Sequence, residues 1–184
     1  APLAGADNGK AFAPHARKAK GAAPTTELPL KGVRIIDLTM GWAGPSATRQ
    51  LADLGADVIK VESIQYPDWF RGTDTRPPYH EEQTYEKTYW IQVMNRNKRG
   101  ITLDLTSEDG RTLLTRLLQS ANAMIDNYAA DVLPRLGLGV EAMLKINPKL
   151  VVVTMPAFGM NGPWRNGRAY GSTLEQASGL PTVQ

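Results

Sequence analysis

The sequence contains no cysteine and only two histidines, His15 and His80, among its 184 residues. The lack of cysteine excludes disulfides, thiolate catalysis and cysteine-ligated zinc or iron–sulfur sites. Two histidines provide almost no material for a Ser-His-Asp triad or a histidine-rich metal site. We therefore expect no bound metal, and the absence of cysteine fits a reducing, cytoplasmic compartment.

Long hydrophobic runs and a strong excess of charge of one sign are also missing. No apolar stretch approaches the roughly 20 residues that a helix needs to cross a bilayer, and no basic segment followed by an apolar core indicates a signal peptide. The net charge is +3 and 42% of the residues are hydrophobic, which is an ordinary globular composition. We expect neither a membrane nor a nucleic-acid partner, because so small a basic excess suits a local phosphate-bearing ligand better.

One complete supersecondary unit lies between Pro29 and Glu62. Residues 33–38 form a short apolar, β-branched run, which is typical of a strand covered on both faces. A turn at residues 40–45 leads into a helical pattern, and a second strand follows at residues 57–62. A strand, a crossover helix and a strand of this length predict a parallel βαβ unit. The turn then lies at the carboxyl edge of the sheet, where the first N–H groups of the helix can bind a phosphate.

The helix of this unit has signals of its own. Pro45 suits the first helical position because its missing N–H costs nothing there. Gly55 is placed for a left-handed C-terminal cap. Ala47, Leu51 and Leu54 recur at helical spacing and predict the buried face.

The rest of the chain alternates strands with helices. We predict a strand at residues 101–105, a helix capped by Thr106, and buried strands from residue 123 and at residues 150–155. A long loop at residues 63–87, with several aromatic residues, is interpreted as a flap over the ligand edge or as a subunit contact. Together these elements predict a doubly wound α/β domain with a mainly parallel sheet over residues 28–184, preceded by a disordered arm or interdomain linker at residues 1–27.

Several chemistries are open to such a domain. A dinucleotide-binding dehydrogenase is excluded because the turn reads Gly-Trp-Ala-Gly-Pro and not G-x-G-x-x-G. Asp37, Glu62 and Asp126 lie near strand ends, where an acid acts either as base or nucleophile or as a structural hydrogen-bond acceptor. The basic run at residues 95–100 either faces a phosphate or forms a solvated turn. The residues by themselves predict an α/β domain that binds a phosphorylated ligand.

Six segments, in order along the chain, carry a resemblance to a known family. They read PLKGVRIIDLT, AGPSATRQLADLGADVIKVE, NRNKRGITLDL, LPRLGLG, INPKLVVVTMPAFGMNGP and AYGSTLEQASGL. The chain resembles the family III CoA-transferases, a group that also contains α-methylacyl-CoA racemases. The resemblance implies a Rossmann-like large domain that binds coenzyme A, a smaller second domain, and an interlocked homodimer.

By position, the resemblance assigns ten residues to the CoA site. They are Gly41, Trp42 and Ala43 at the CoA and acyl pocket, Leu103 and Thr106 around the adenosine, Asn127, Tyr128 and Arg135 over the nucleotide, and Arg168 and Tyr170 at the diphosphate and pantetheine. An arginine suits this role because its guanidinium grips phosphate oxygens in a fork and stays charged.

The resemblance also implies the reaction. CoA moves between an acyl-CoA and a small carboxylic acid through an aspartyl-CoA intermediate. The nucleophilic aspartate is expected beyond Gln184, in the remainder of a longer polypeptide, so no catalytic residue is predicted in this chain. An alternative is the non-catalytic CoA-binding half of a fused two-domain protein, with residues 1–27 as the linker.

Three positions depart from the family's pattern. Gly171 stands where the racemases carry an acid that transfers a proton, which makes a 2-methylacyl-CoA racemase the less favoured alternative. Trp42 replaces a glutamine of the formyl-CoA enzymes, which weakens the case for formate or oxalate. Ser63 stands where some members place an arginine near the nucleotide, so phosphate binding must depend on other basic residues.

Overall fold

A computed structural model describes residues 27–72 and 81–183 of the protein. The predicted N-terminal arm, apart from its last residue, lies outside these ranges. So do residues 73–80 of the predicted flap, including His80.

Five parallel strands form the central sheet. They are β1 at Arg34–Asp37, β2 at Asp57–Glu62, β3 at Lys98–Thr102, β4 at Ala123–Asp126 and β5 at Val151–Thr154. Their order in the sheet is β3-β2-β1-β4-β5, which is that of a Rossmann-type sheet. Ile36 of β1 is in register with Ile59 of β2 and with Met124 of β4. The winding therefore reverses between β1 and β4, and the predicted parallel α/β fold is confirmed.

Helices connect the strands. They are α1 at Ala43–Asp53, α2 at Thr84–Lys87, α3 at Tyr89–Asn95, α4 at Glu108–Gln119, α5 at Val132–Arg135, α6 at Val140–Ile146 and α7 at Gly171–Ala177, with 3-10 helices at Trp69–Arg71 and Leu180–Thr182. Within the described residues, no helix has the length and apolar character that a bilayer crossing needs.

Two clusters of buried side chains cover the two faces of the sheet. The larger contains Ile36 of β1 together with Leu114 and Leu118 of α4. The smaller contains Ile35, the neighbour of Ile36, together with Ala52 of α1. Successive strand residues point to opposite faces, so this alternation buries β1 on both sides, as its apolar sequence predicts.

Helix α1 differs from the prediction at its start and on its buried face. It begins at Ala43, which makes Pro45 its third residue. Its buried residues are Gly44, Pro45, Thr48 and Ala52, while Leu54 is 45% exposed. The predicted face is confirmed for Leu51, which packs against the smaller cluster, and was wrong for the exposed Ala47 and Leu54. Small residues let the start of the helix lie close to the loop after β1, because a β-carbon on Gly44 would collide with the side chain of Thr39. The left-handed cap at Gly55 is confirmed, with φ of +99°.

Later elements also shift from their predicted positions. Strand β3 starts at Lys98, three residues before the predicted strand, because Lys98 pairs in register with Val58 of β2. Helix α4 is capped by Ser107, whose Oγ accepts a hydrogen bond from the Gly110 N–H at 3.0 Å, and not by Thr106. Strand β5 lies at the edge of the sheet with Val151 59% exposed, so its prediction as a buried strand was wrong.

Candidate functional site

All ten residues assigned to the CoA site follow the carboxyl end of a strand. Residues 41–43 follow β1, residues 103 and 106 follow β3, residues 127–135 follow β4, and residues 168–170 follow β5. Because the strands are parallel, these segments lie at one edge of the sheet. Open α/β sheets bind ligands at this edge where the winding reverses, which in this sheet is beside residues 38–42.

Three side chains hold the loop after β1: Asp37 at the end of β1, Asp68 after β2 and Asn127 after β4. The N–H of Thr39 donates to Asp37 Oδ1 at 2.9 Å, and the N–H of Gly41 donates to Asp68 Oδ1 at 3.1 Å. Asn127 binds Met40 twice, with its Oδ1 accepting from the Met40 N–H and its Nδ2 donating to the Met40 carbonyl, both at 2.9 Å. These three N–H groups are thus already bound within the protein.

The first turn of α1 is left without a side-chain cap. Trp42 occupies the N-cap position and makes no capping hydrogen bond, because an indole offers only a donor. The first N–H groups of a helix have no partner inside the helix. The donors that this bend offers to a phosphate are therefore those of the α1 first turn and not those of residues 39–41.

Two buried ion pairs lie beneath this loop. Lys98 Nζ lies 2.9 Å from Asp37 Oδ2, and Lys60 Nζ lies 3.1 Å from Asp68 Oδ2. Asp37 and Asp68 are 0% exposed. Burial works to raise the pKa of Asp37, but Lys60, Lys98 and two hydroxyl donors hold that pKa below its usual value. Asp37 is a fully engaged carboxylate, which supports the structural interpretation over the catalytic one.

Glu62 has an equally structural environment. Its carboxylate accepts two hydrogen bonds from Arg71, at 2.9 and 2.7 Å, and one from the N–H of Asp68 at 3.1 Å. Burial works to raise the pKa of Glu62, but the Arg71 guanidinium keeps that pKa below its usual value. The Glu62–Arg71 pair holds residues 68–71 against the carboxyl end of β2.

Asp126 is the exception among the three acids. It is 3% exposed, its Oδ1 accepts only from the Tyr128 N–H at 3.1 Å, and its Oδ2 has no hydrogen-bond partner among the described residues. Burial raises the pKa of Asp126 to about 6. The adjoining cavity of about 20 Å³, lined in part by Tyr128 and Thr154, has room for one water molecule. Asp126 is therefore a buried group that changes charge near pH 6.

Acidic side chains neutralise the basic run at residues 95–100. Arg96 Nη2 lies 2.6 Å from Asp53 Oδ2, and Arg99 Nε lies 2.9 Å from Asp57 Oδ1. Lys98 is buried against Asp37. The run starts at the amino end of β3, away from the candidate site, and only its Lys98 Nζ extends beneath the loop after β1, where Asp37 binds it. Its alternative interpretation as a phosphate-binding cluster has no support in the structure.

Four of the assigned residues are either buried or already bound to another side chain of the protein. Leu103 is 6% exposed within the larger core cluster, and Tyr128 packs against that cluster, where burial raises the pKa of its phenol. Thr106 Oγ1 donates to Asp104 at 2.6 Å. Arg135 Nη2 lies 3.0 Å from Asp131 Oδ2. Leu103 and Thr106 follow β3, two strands from β1, which places them about 10 Å from the loop after β1.

Of the other assigned residues, Gly41 to Ala43 belong to that loop or directly follow it, Asn127 binds Met40, and Tyr170 contacts Trp69 beside it. Tyr170 is 71% exposed, and its ring lies 5.7 Å from that of Trp69. Trp69 in turn covers Gly41, which has a φ of +72° and leaves no room for a β-carbon beneath the indole. Arg168, two residues before Tyr170, is exposed and has no recorded partner among the described residues.

A group of aromatic rings beside Trp42 was not assigned to the site from the sequence. Trp69 and Phe70 come from the loop after β2, and Trp90 comes from the start of α3. The ring of Trp42 lies 4.7 Å from that of Trp90 and 5.8 Å from that of Phe70. The signal in the sequence is the aromatic content of residues 63–87, interpreted as a flap over the ligand edge or as a subunit contact. Trp69 of that segment covers Gly41, as the first interpretation predicts, whereas Trp90 lies outside the segment.

Residues 30–184 match the sequence profile of CoA-transferase family III. The chain belongs to this family. A succinate–glutarate CoA-transferase of Agrobacterium fabrum is 36% identical over 165 residues, covering 87% of this chain and 40% of that protein. A formyl-CoA:oxalate CoA-transferase of Afipia carboxidovorans is 39% identical over 150 residues, covering 82% of this chain and 34% of that protein. The chain thus spans two fifths or less of these relatives.

A solved structure shows the same fold as this family III chain. A CAIB/BAIF family protein from Brucella suis superposes with a TM-score of 0.72 at 32% identity, covering 84% of this chain and 40% of that one. A longer relative, a probable CoA-transferase of Mycobacterium tuberculosis named Rv1866, is 32% identical over 183 residues, covering 100% of this chain but only 22% of that protein.

Proposed function

We propose that this family III chain is the CoA-binding part of a CoA-transferase that moves CoA between an acyl-CoA and a small carboxylic acid. One observation carries the proposal: the family match over residues 30–184 coincides with a parallel sheet, and all ten assigned residues follow the carboxyl ends of its strands. The relatives are named as CoA-transferases. We further propose that the complete protein is a cytoplasmic, interlocked homodimer.

Two features of the edge support CoA as the ligand. The uncapped first turn of α1 presents backbone N–H groups and the positive end of the helix dipole, which favour a phosphate. Arg168 is exposed without a recorded partner in the described chain, so its guanidinium is available for a forked contact to phosphate oxygens. Arg135 forms an ion pair with Asp131, so less of its positive charge is available to a phosphate.

In the proposed reaction, an aspartate from beyond Gln184 acts as the nucleophile. Its carboxylate attacks the thioester carbonyl and the C–S bond breaks. CoA leaves as a thiolate, and the acyl group stays bound to the aspartate as a mixed anhydride. The thiolate attacks the aspartyl carbonyl, which releases the donor acid as its carboxylate and forms aspartyl-CoA. The acceptor carboxylate then attacks this thioester, and the expelled thiolate attacks the acceptor's carbonyl in the new anhydride, which frees the aspartate and the new acyl-CoA.

A second candidate is the non-catalytic CoA-binding half of a fused protein. The match to Rv1866 supports a fused parent polypeptide for this candidate, because that match takes in the whole chain, including residues 1–27, yet covers only 22% of the relative. The next 30 residues of the parent polypeptide separate the two candidates, since they either contain the nucleophilic aspartate or do not. Racemisation stays outside the proposal because Gly171 has no side chain that can carry a proton.

Calorimetric titration with CoA tests the proposed ligand. We expect saturable binding at one site per chain and a loss of about 1 to 3 kcal/mol, or roughly 5- to 150-fold in Kd, in Arg168→Ala. Arg99→Ala is the matched control, since Arg99 lies at the amino end of β3 and pairs with Asp57. An absence of CoA binding would refute the proposed function, whereas unchanged affinity in Arg168→Ala would only remove that residue from the site.

A further inference from the structure

Four aromatic residues form one continuous surface beside the loop after β1, which we name the aromatic wall: Trp42, Trp69, Phe70 and Trp90. The ring of Phe70 lies 4.4 Å from that of Trp69 and stacks at 5.6 Å on that of Trp90. Trp42 closes the group at 4.7 Å from Trp90. Three separate parts of the chain therefore supply a single apolar surface.

The wall remains open although its rings touch one another. Trp42 is 52% exposed, Trp69 is 44% exposed and Trp90 is 40% exposed. Contiguous exposed apolar patches of this kind mark surfaces that receive a ligand or partner. The four residues of the wall do not belong to the hydrophobic core, because neither of the two buried clusters on the sheet contains any of them.

The wall stands where a ligand of this sheet is expected. Trp42 is the residue directly before α1, at the reversal of winding, and Trp69 covers Gly41. Asp68 fixes both sides of this contact, since its Oδ1 accepts from the Gly41 N–H at 3.1 Å and from the Phe70 N–H at 3.0 Å. The wall is therefore held against the loop by the buried polar network.

The geometry of the rings limits which kinds of ligand the wall can bind. Neighbouring rings are in contact, so no gap remains between them for the cage that a quaternary ammonium requires. The nearby cations are engaged: Arg71 is held by Glu62 at 2.7 Å, and Lys60 is held by Asp68 at 3.1 Å. The wall itself offers planar apolar contact, and the exposed Arg168, two residues before Tyr170, is assigned to the diphosphate of CoA and not to a second carboxylate.

We propose that the aromatic wall receives the acyl group, and that the substrates are CoA thioesters of monocarboxylic acids with an aromatic or similarly flat apolar body. This inference rests on the proposed function, because it assigns the acyl group of the CoA ligand to the wall. It separates this chain from relatives whose names specify succinate, glutarate or oxalate.

Titration of the protein with four probes tests the inference: benzoyl-CoA, acetyl-CoA, succinyl-CoA and free CoA. Aromatic stacking predicts that benzoyl-CoA binds about tenfold more tightly than acetyl-CoA and succinyl-CoA. Three of the four tryptophans of the chain belong to the wall, so benzoyl-CoA is also expected to change the intrinsic fluorescence more than acetyl-CoA does.

Two variants locate the effect. Trp42→Gln and Trp90→Ala are expected to reduce the preference for benzoyl-CoA to less than threefold. Trp90 is not among the residues assigned to the CoA site, so Trp90→Ala is also expected to leave the Kd of free CoA unchanged within twofold. Trp164→Phe is the matched control, because Trp164 packs against Phe158 outside the wall and is expected to keep the full preference. The comparison of thioesters on the unaltered protein does not depend on any variant folding.

The outcomes distinguish the inference from the proposed function. Free CoA binding with equal affinities for the three thioesters, or with succinyl-CoA the tightest, would overturn the inference and leave the proposed function standing. No binding of any CoA compound would overturn both. A dimer that Trp90→Ala dissociates in sedimentation, with no preference among thioesters, would show that the wall seats a second copy of the chain instead.

Discussion

The buried carboxylate of Asp126 makes the stability of this protein depend on pH in a direction that can be calculated. Burial raises its pKa from 3.8 to about 6, and its Oδ2 has no partner among the described residues. A shift of this size corresponds to about 3 kcal/mol between the two protonation states. The folded state therefore holds this proton more tightly than the unfolded chain does.

The sign follows from linkage. A group whose pKa is raised on folding contributes its full stability below its unfolded pKa and loses that contribution as the pH rises through its folded pKa. For Asp126 the loss begins near pH 4 and is complete somewhat above pH 6. Above that pH, the charged carboxylate destabilises the folded state by about 3 kcal/mol relative to the neutral acid.

Asp126→Asn isolates this contribution, because asparagine has nearly the same shape, keeps an oxygen for the Tyr128 N–H and is neutral at every pH. Urea unfolding of both proteins at pH 4, 6 and 8 gives the difference in their free energies of unfolding. We expect the difference to move in favour of the Asp126→Asn variant by about 2 to 3 kcal/mol from pH 4 to pH 8. Contributions from all other groups cancel, since both proteins share them.

Asp104→Asn serves as the control for this measurement. The pKa of Asp104 is lowered by hydrogen bonds from Thr106, so the pH-dependent difference for its variant is expected to be small and of opposite sign. A difference between Asp126→Asn and the unaltered protein that stays constant within about 0.5 kcal/mol from pH 4 to pH 8 would refute the reasoning, because it would mean that Asp126 titrates alike in both states.

Three further changes probe the loop after β1. Lys98→Met removes a partner of the fully buried Asp37 and is expected to cost about 3 to 5 kcal/mol in urea unfolding. Gly41→Ala forces a side chain into positive φ and against Trp69, and is expected to lower the unfolding free energy by about 1 to 3 kcal/mol. Asn127→Leu loses both hydrogen bonds to Met40 and is expected to weaken CoA binding about tenfold. In Asn127→Asp, CoA affinity is expected to recover as the pH falls, because the protonated acid again donates to the Met40 carbonyl.

Each of these variants has a matched control or a contradicting result. Arg99→Met breaks an exposed ion pair and is expected to cost less than about 1 kcal/mol; an equal loss in both variants would contradict the buried pair. Gly162 has a φ of +91°, and an added β-carbon there would meet no other atom, so Gly162→Ala measures the cost of the backbone strain alone. A CoA affinity of Asn127→Asp that does not change with pH would show that Asn127 does not position the loop.

The elements that the sequence predicted well are those specified by neighbouring residues. The β1-α1-β2 unit follows from β-branched runs and from Gly55, whose left-handed conformation depends only on the local backbone. The elements predicted poorly depend on distant contacts. The buried face of α1 consists of small residues because the sheet lies close beneath it, and β3 begins at Lys98 because β2 pairs with it there. Helix α6 was not predicted at all.

The sequence by itself determined the family, the parallel α/β fold and the edge of the sheet at which the assigned residues lie, because these depend on the order of segments and on local backbone preferences. Tertiary structure alone decided the roles of the three strand-end acids. Lys98, 61 residues away, neutralises Asp37, Arg71 neutralises Glu62, and no cation lies against Asp126 among the described residues. The charge on a carboxylate depends on which groups lie within a few ångströms of it, and folding sets those distances.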